Sequence, residues 1–313
     1  MIRGGKGRAP RKGMMLPLHA TLGRCFFSSL HAPAALYFVP GSPAPGAPVA
    51  SPTPVVFLHG LLGSSTNFRT IQQATSKHRP TLAFDMRNHG RSPHTRGPCT
   101  LDDMAGDVAA ALQALSSGVH ASPTGYSLVG HSLGGKVAMR LALLHPHLVQ
   151  SLCVVDIAPT PYDTATEGWK AVQGVVHAAA SLDPTRFASR QEVDRALSAL
   201  VPDPGVRSFV AQNLVPREGG GFTWRLGWEC ILASMGNFAA WPSHPPARAG
   251  LDVHFIRGTR STYITQAHMG AISATFPGAA VHGVEAGHWV HAENPAGFWG
   301  VLAKVLALNT AQG

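Results

Sequence analysis

The sequence predicts an α/β fold, a mostly parallel central sheet flanked by helices and interrupted by a helical cap. Three observations predict it. From Pro54 onward, short runs rich in Val, Leu and Phe alternate with helix-length segments, the pattern of parallel strands joined by helical crossovers. One of the turns reads Gly130-His131-Ser132-Leu133-Gly134, a G-x-S-x-G sequence with a strand-like run before it and a helix-like run after it. Residues 158–248 then break the alternation, which resumes at Val253.

Each element follows in order. Seven prolines between residues 33 and 54 read as a semi-extended linker or loose edge over 32–54, within which Tyr37-Phe38-Val39 is a short edge strand. Val55 to Leu58 is a buried strand ending in His59-Gly60. Leu82 to Phe84 is the next, ending in the turn from Asp85 to Ser92. A helix is expected from Leu101 to Leu115, with Asp102, Asp103 and Asp107 toward its positive N-terminal end. Tyr126 to Val129 is a strand, Leu133 to Leu144 a helix, and Gln150 to Val155 a strand that stops at Asp156. Residues 158–248 contain four of the six tryptophans and no strong strand, which suggests an inserted helical cap. Val253 to Ile256, a helix near Thr265 to Phe276, the strand Ala280 to Val284 and a helix from Pro295 to Leu308 complete the core, assigned to 55–157 and 249–310.

Composition excludes several classes. The 313 residues are 45% hydrophobic and 13% charged, enough apolar material for a core and too little charge for a disordered chain. No apolar run approaches the ~20 residues of a membrane span. Four scattered cysteines, 25, 99, 153 and 230, support neither a disulfide scaffold nor a structural zinc site. The net charge of +9 is concentrated at the N-terminus. Residues 1–31 carry six basic and no acidic side chains, so the body is only +3, without the basic stripe of a nucleic-acid binder. An Arg-rich, acid-free N-terminus reads as an organellar transit peptide, mitochondrial or alternatively chloroplast, with Arg24-Cys25-Phe26-Phe27-Ser28-Ser29 resembling a mitochondrial processing site.

Ser132, on a sharp strand-to-helix turn, is the candidate nucleophile, and a hydroxyl in that role needs a base. Among seventeen histidines, position selects His288: it follows the last strand, at the sheet edge where all parallel strands end and where Ser132 lies. The third member, a carboxylate to orient the imidazole, is absent from the loop Arg257 to Tyr263. Asp252 is at the wrong end of its strand. Asp156 ends the strand after the nucleophile's helix and is the candidate acid. Glu229, in the cap, is the alternative, and Glu285 borders the histidine's loop. The backbone N–H groups of Leu61 and Leu133 are the candidate oxyanion donors.

With His59-Gly60-Leu61-Leu62-Gly63-Ser64, Asp85-x-Arg87-Asn88-His89-Gly90-x-Ser92, Gly130-His131-Ser132-Leu133-Gly134-Gly135-Lys136, Val155-Asp156-Ile157-Ala158-Pro159 and Gly287-His288-Trp289 in place, the chain resembles the α/β-hydrolase superfamily over about residues 35–310. The Asp-Ile-Ala-Pro segment and the carboxylate-free loop are similar to a branch of small bacterial esterases with mitochondrial eukaryotic counterparts. That resemblance implies an acid after the strand following the nucleophile, here Asp156, and a serine esterase acting through an acyl-serine. Thioesterase, lipase and amidase chemistries of the same fold stay open, as does a low-turnover binding protein. A small-molecule ester with an apolar acyl group is the expected substrate, and no metal or organic cofactor is implied.

Overall fold

The computed structural model describes residues 32–46, 51–115 and 117–308. The transit-peptide expectation for 1–31 and the last two residues of the expected core lie outside them. In chain order the elements are β1 (Phe38–Gly41), β2 (Val55–Leu58), α1 (Arg69–Thr75), β3 (Thr81–Phe84), α2 (Leu101–Ala114), β4 (Tyr126–His131), α3 (Leu133–Leu144), β5 (Val149–Val155), α4 (Glu167–Ser181), α5 (Arg190–Leu197), α6 (Pro204–Ala211), β6 (Leu214–Pro216), β7 (Phe222–Trp224), α7 (Trp228–Ala239), β8 (Asp252–Gly258), α8 (Met269–Thr275), β9 (Ala280–Val284), α9 (Val290–Glu293) and α10 (Pro295–Val305).

Seven strands form one sheet in the order β1-β3-β2-β4-β5-β8-β9, parallel except for β1, which pairs antiparallel with β3. β2, β3 and β4 are buried throughout, because helices cover both faces of a parallel sheet and leave no solvent side for alternation. The strand order reverses around β2, with β3 on one side and β4 on the other. Ligand crevices form at such a point, beyond the carboxyl ends of the strands. The loops after β2, β4, β5 and β9 all emerge at this edge.

Three features differ from the sequence expectation. The packed core begins before residue 55: Leu36, Tyr37 and Phe38 are buried, and Tyr37 donates its N–H to Ser92 Oγ at 2.8 Å. Pairing with β3 satisfies the backbone of a proline-rich segment that local composition reads as linker. The segment between β5 and β8 contains, besides α4 to α7, the hairpin β6-β7, whose three-residue strands are too short to show alternation. The helix α1, seven residues after a 3-10 turn, is short enough to have escaped periodicity for the same reason.

The Asp85-to-Ser92 turn is structural. Asp85 accepts the N–H groups of Ser65 (2.6 Å) and Arg91 (2.9 Å). Arg87 makes a bidentate pair with Asp107 of α2 (2.5 and 2.6 Å), both side chains about 1% exposed. Asp107 also accepts the N–H of Ala34 at 2.6 Å, so one carboxylate ties the chain entry and the β3 turn to α2. Removing one partner of a buried pair strands the other charge. Arg87→Met is expected to cost about 3–5 kcal/mol in urea denaturation; a loss below about 1 kcal/mol would show that the pair adds little.

Candidate active site

Ser132 joins β4 to α3 with φ 51° and ψ −120°, a conformation that non-glycine residues rarely hold. The surrounding glycines permit it. A Cβ on Gly130 would collide with the Gly134 carbonyl, and one on Gly134 with the Leu58 carbonyl at the end of β2. The tight turn thrusts the serine side chain out from the sheet edge.

His288, on the loop after β9, reaches Ser132: its Nε2 accepts the Ser132 hydroxyl at 3.0 Å. Its Nδ1–H donates to Asp156 Oδ2 at 2.8 Å. Asp156 is fully buried, and three further groups secure this pair. The N–H of Gly258 donates to Oδ1 at 3.0 Å, the Ser261 hydroxyl donates to Oδ2, and the Tyr263 ring stacks on the His288 imidazole, centroids 4.0 Å apart. The structure therefore brings Ser132, His288 and Asp156 into one hydrogen-bonded chain. Glu229 is exposed in the first turn of α7 and makes no hydrogen bond to His288. Glu285 lies 3.5 Å from Arg260, and Asp252 pairs with His254.

Leu61 and Leu133 line the same cavity as Ser132. Leu133 opens α3, so its N–H has no helical carbonyl behind it and is free to meet a ligand. The Leu61 turn is closed by Gly63 N–H to the Gly60 carbonyl at 3.0 Å.

Sequence reasoning missed the groups that hold this apparatus. Glu293 accepts the N–H groups of Gly287 (2.7 Å) and Trp289 (3.2 Å), clasping the peptide on both sides of His288. Its signal was a lone acid at the end of a short helix five residues beyond the histidine. Two neutral histidines brace the Leu61 loop: His59 donates Nδ1–H to the Gly60 carbonyl (2.8 Å) and accepts Met86 N–H on Nε2 (3.0 Å). His89 donates to the Arg87 carbonyl (2.9 Å) and accepts Leu62 N–H (3.2 Å). Both rings use one nitrogen as donor and one as acceptor, which only the neutral imidazole can do. Burial lowers His59 to about 4 and His89 to about 3. His131, which donates to the His288 carbonyl at 2.9 Å, is also held low by burial, and His291 is lowered by burial to about 4.

The cavity in front of Ser132 measures about 310 Å³. Its walls are mainly apolar, with Trp169, Val172 and Val175 from α4, Phe209 from α6 and Phe238 from α7 facing Leu133, Ile157 and Tyr263. Of the tryptophans in 158–248, Trp169 lines the cavity. Trp224 and Trp228 pack edge-to-face at 5.5 Å, and Trp241 lies against Arg140. Lys136, buried in the first turn of α3, donates to the Phe238, Ala239 and Ala240 carbonyls at 2.9–3.0 Å, fixing the end of α7 over the nucleophile's helix.

This fold and this site define a class, the hydrolases built on a parallel sheet with a serine at the strand-to-helix elbow. A family profile described as alpha/beta hydrolase fold matches residues 53–295. The sn-1-specific diacylglycerol lipase ABHD11 of Mus musculus is 36% identical over 265 residues, 81% of this chain and 80% of its own length. A Haemophilus influenzae protein named as an esterase/lipase is 33% identical over 245 residues, 78% of this chain and 79% of its own. The solved structure of a marine microorganism esterase superposes with a TM-score of 0.79 at 29% identity, covering 86% of this chain and 98% of that one. The chain belongs to the α/β-hydrolase family, in its esterase and lipase branch.

The buried histidines give a pH expectation. Each has a folded pKa below the unfolded value of about 6.5, so the unfolded chain takes up protons first as pH falls. Stability is full above pH ~6.5 and lost progressively toward pH ~4, where His59 and His291 titrate in the folded state. Urea midpoints measured from pH 7.5 to 4 should fall over this window, and a constant midpoint would contradict neutral, buried imidazoles.

Proposed function

We propose that the protein hydrolyses carboxylic esters through an acyl-serine, with Ser132 as nucleophile, His288 as general base and Asp156 as the acid that orients it. One observation carries the reading: the chain from Ser132 Oγ through His288 to Asp156 Oδ2, at 3.0 and 2.8 Å, opens into an apolar cavity. His288 Nε2 takes the hydroxyl proton as Oγ bonds to the acyl carbon. The negative charge that develops on the carbonyl oxygen meets the N–H groups of Leu61 and Leu133. The carbon–oxygen bond to the alcohol then breaks and His288 returns the proton to the departing alkoxide. Water, deprotonated by the same nitrogen, attacks the acyl-enzyme and releases the acid and Ser132. Asp156 stays ionised, compensating the imidazolium formed in each half-reaction.

The apolar wall supports a reading in which the acyl group occupies the cavity and the segment 158–248 is the cap over it. The lipase and esterase activities named for the relatives support an ester substrate for this chain. A cavity of about 310 Å³ is at the small end of the ~300–1,000 Å³ range of ligand sites, which favours short and medium acyl chains over long ones.

With p-nitrophenyl esters of acetate, butyrate, octanoate and palmitate, kcat/KM is expected to be highest at butyrate or octanoate and lowest at palmitate. Ser132→Ala should abolish turnover. Asp156→Asn should lower kcat by about 10⁴, the scale for a serine hydrolase triad that has lost its acid, while Glu229→Gln keeps full activity. Retained activity in Asp156→Asn together with loss in Glu229→Gln would reverse the assignment of the acid.

We further propose that residues 1–31 direct the protein to mitochondria, on their six basic and no acidic side chains. Fused to a fluorescent protein, this segment should colocalise with a mitochondrial marker; accumulation in plastids would select the chloroplast instead, and diffuse fluorescence would refute both.

A further inference from the structure

The apolar cavity has a polar neighbour that the acyl group does not need. A groove of about 760 Å³ adjoins it, and the two share Asn67, Phe209, Trp289 and His291 as common walls. A substrate whose acyl chain fills the cavity therefore has its leaving group placed to enter the groove.

The charge of the groove is one-sided. Among the described residues, Arg69, Arg190 and Arg225 line it against one acid, Glu293. Glu293 is already engaged by the Gly287 and Trp289 N–H groups and by Arg260. Arg190 is positioned by the Ala211 and Leu214 carbonyls and lies over the Phe222 ring. The guanidinium groups of Arg69 and Arg225 have no carboxylate or hydrogen-bond partner among the described residues. Ser208 and Ser64, whose hydroxyl is hydrogen-bonded to that of Thr66 at 2.6 Å, also line the groove. At the seam, buried His291 keeps an Nδ1 without a hydrogen-bond partner among the described residues. Planar guanidinium forks with no protein carboxylate to satisfy them suit an oxyanion, and two of them together suit a phosphate, with its higher charge, over a single carboxylate.

Resting on the esterase reading above, we propose that the groove binds the phosphate of an anionic leaving group, so that the substrate is an acyl ester or thioester of a phosphate-bearing alcohol or thiol. Arg69 and Arg225 contact the phosphate and set this specificity. The bond that breaks is the one already described, between the acyl carbon and the leaving oxygen or sulfur, and the proton on His288 goes to that atom.

Binding to the Ser132→Ala protein tests this apart from turnover. Dissociation constants are measured by titration calorimetry for three ligands that share an octanoyl chain: 1-octanoylglycerol, 1-octanoylglycerol 3-phosphate and octanoyl-coenzyme A. The expected result is at least tenfold tighter binding of one or both phosphate-bearing ligands than of the neutral glyceride, with the advantage shrinking as salt rises from 50 to 500 mM. Preference for the glycerol phosphate identifies a phospholipid-like source, and preference for the coenzyme A ester a nucleotide thioester. In the Arg69→Gln/Arg225→Gln variant the ratio of phosphate-bearing to neutral affinity should fall to near one, while Arg69→Lys/Arg225→Lys keeps part of it. Equal affinity for neutral and phosphate-bearing ligands in the parent protein, or a ratio unaltered by the Gln substitutions, overturns the proposal. Because Ser132→Ala turns over no ester, either result leaves the esterase reading to be judged by its own assay.

Discussion

The site depends on how closely the start of α3 approaches β2 and β4. With Gly134 against the end of β2 and Gly130 against the first turn of α3, no side chain fits between helix and sheet. The connecting residue must then turn sharply, and Ser132 does so at positive φ. The strain is sustained because β4 pairs on both edges and α3 is buried along most of its length, which over-determines the turn. Two consequences follow from one constraint: the serine hydroxyl stands clear of the backbone, and the N–H of Leu133 is left at the open end of a helix.

The position of the acid follows from the sheet. β5 and β8 are adjacent and parallel, with Val155 paired to Ile256, so a side chain at the end of either strand reaches the same point beside His288. Here β5 supplies the carboxylate, and the loop after β8 supplies its donors, Gly258 N–H and the Ser261 hydroxyl. The buried charge of Asp156 is thus compensated by groups from a segment about a hundred residues later in the chain. Tyr162, whose hydroxyl donates to the Tyr263 carbonyl and accepts Ala158 N–H, ties that loop to the exit of β5.

Around this centre the buried histidines are neutral. His59 and His89 act as hydrogen-bonding braces for the Leu61 loop, and a charge on either would break a contact as well as cost desolvation. The cations are treated differently. Arg87 is met by a carboxylate and Lys136 by three carbonyls at the negative end of α7, so the same residue that sits beside the nucleophile also holds the wall of the acyl cavity.

The sequence by itself indicated the central parallel strands, the edge where they end, and Ser132 and His288 at that edge, with Asp156 as the candidate acid and Glu229 as its alternative. The strands β2, β4 and β5 are apolar runs with a glycine turn or an acid at their ends, and these are local signals. Ser132, His288 and Asp156 could be paired because parallel strands end at one edge, a rule that needs no coordinates. The tertiary structure alone decided which groups secure them. Glu293, Ser261 and Tyr263 are ordinary residues in sequence, and they act by accepting or donating across loops whose relative placement no local pattern encodes. The same holds for β1 and the β6-β7 hairpin, whose short strands are fixed by their partners more than by their composition. It holds above all for the cavity and the groove beside it, since their walls combine α4, α6 and the loops after β2 and β9, and only packing sets the space between them.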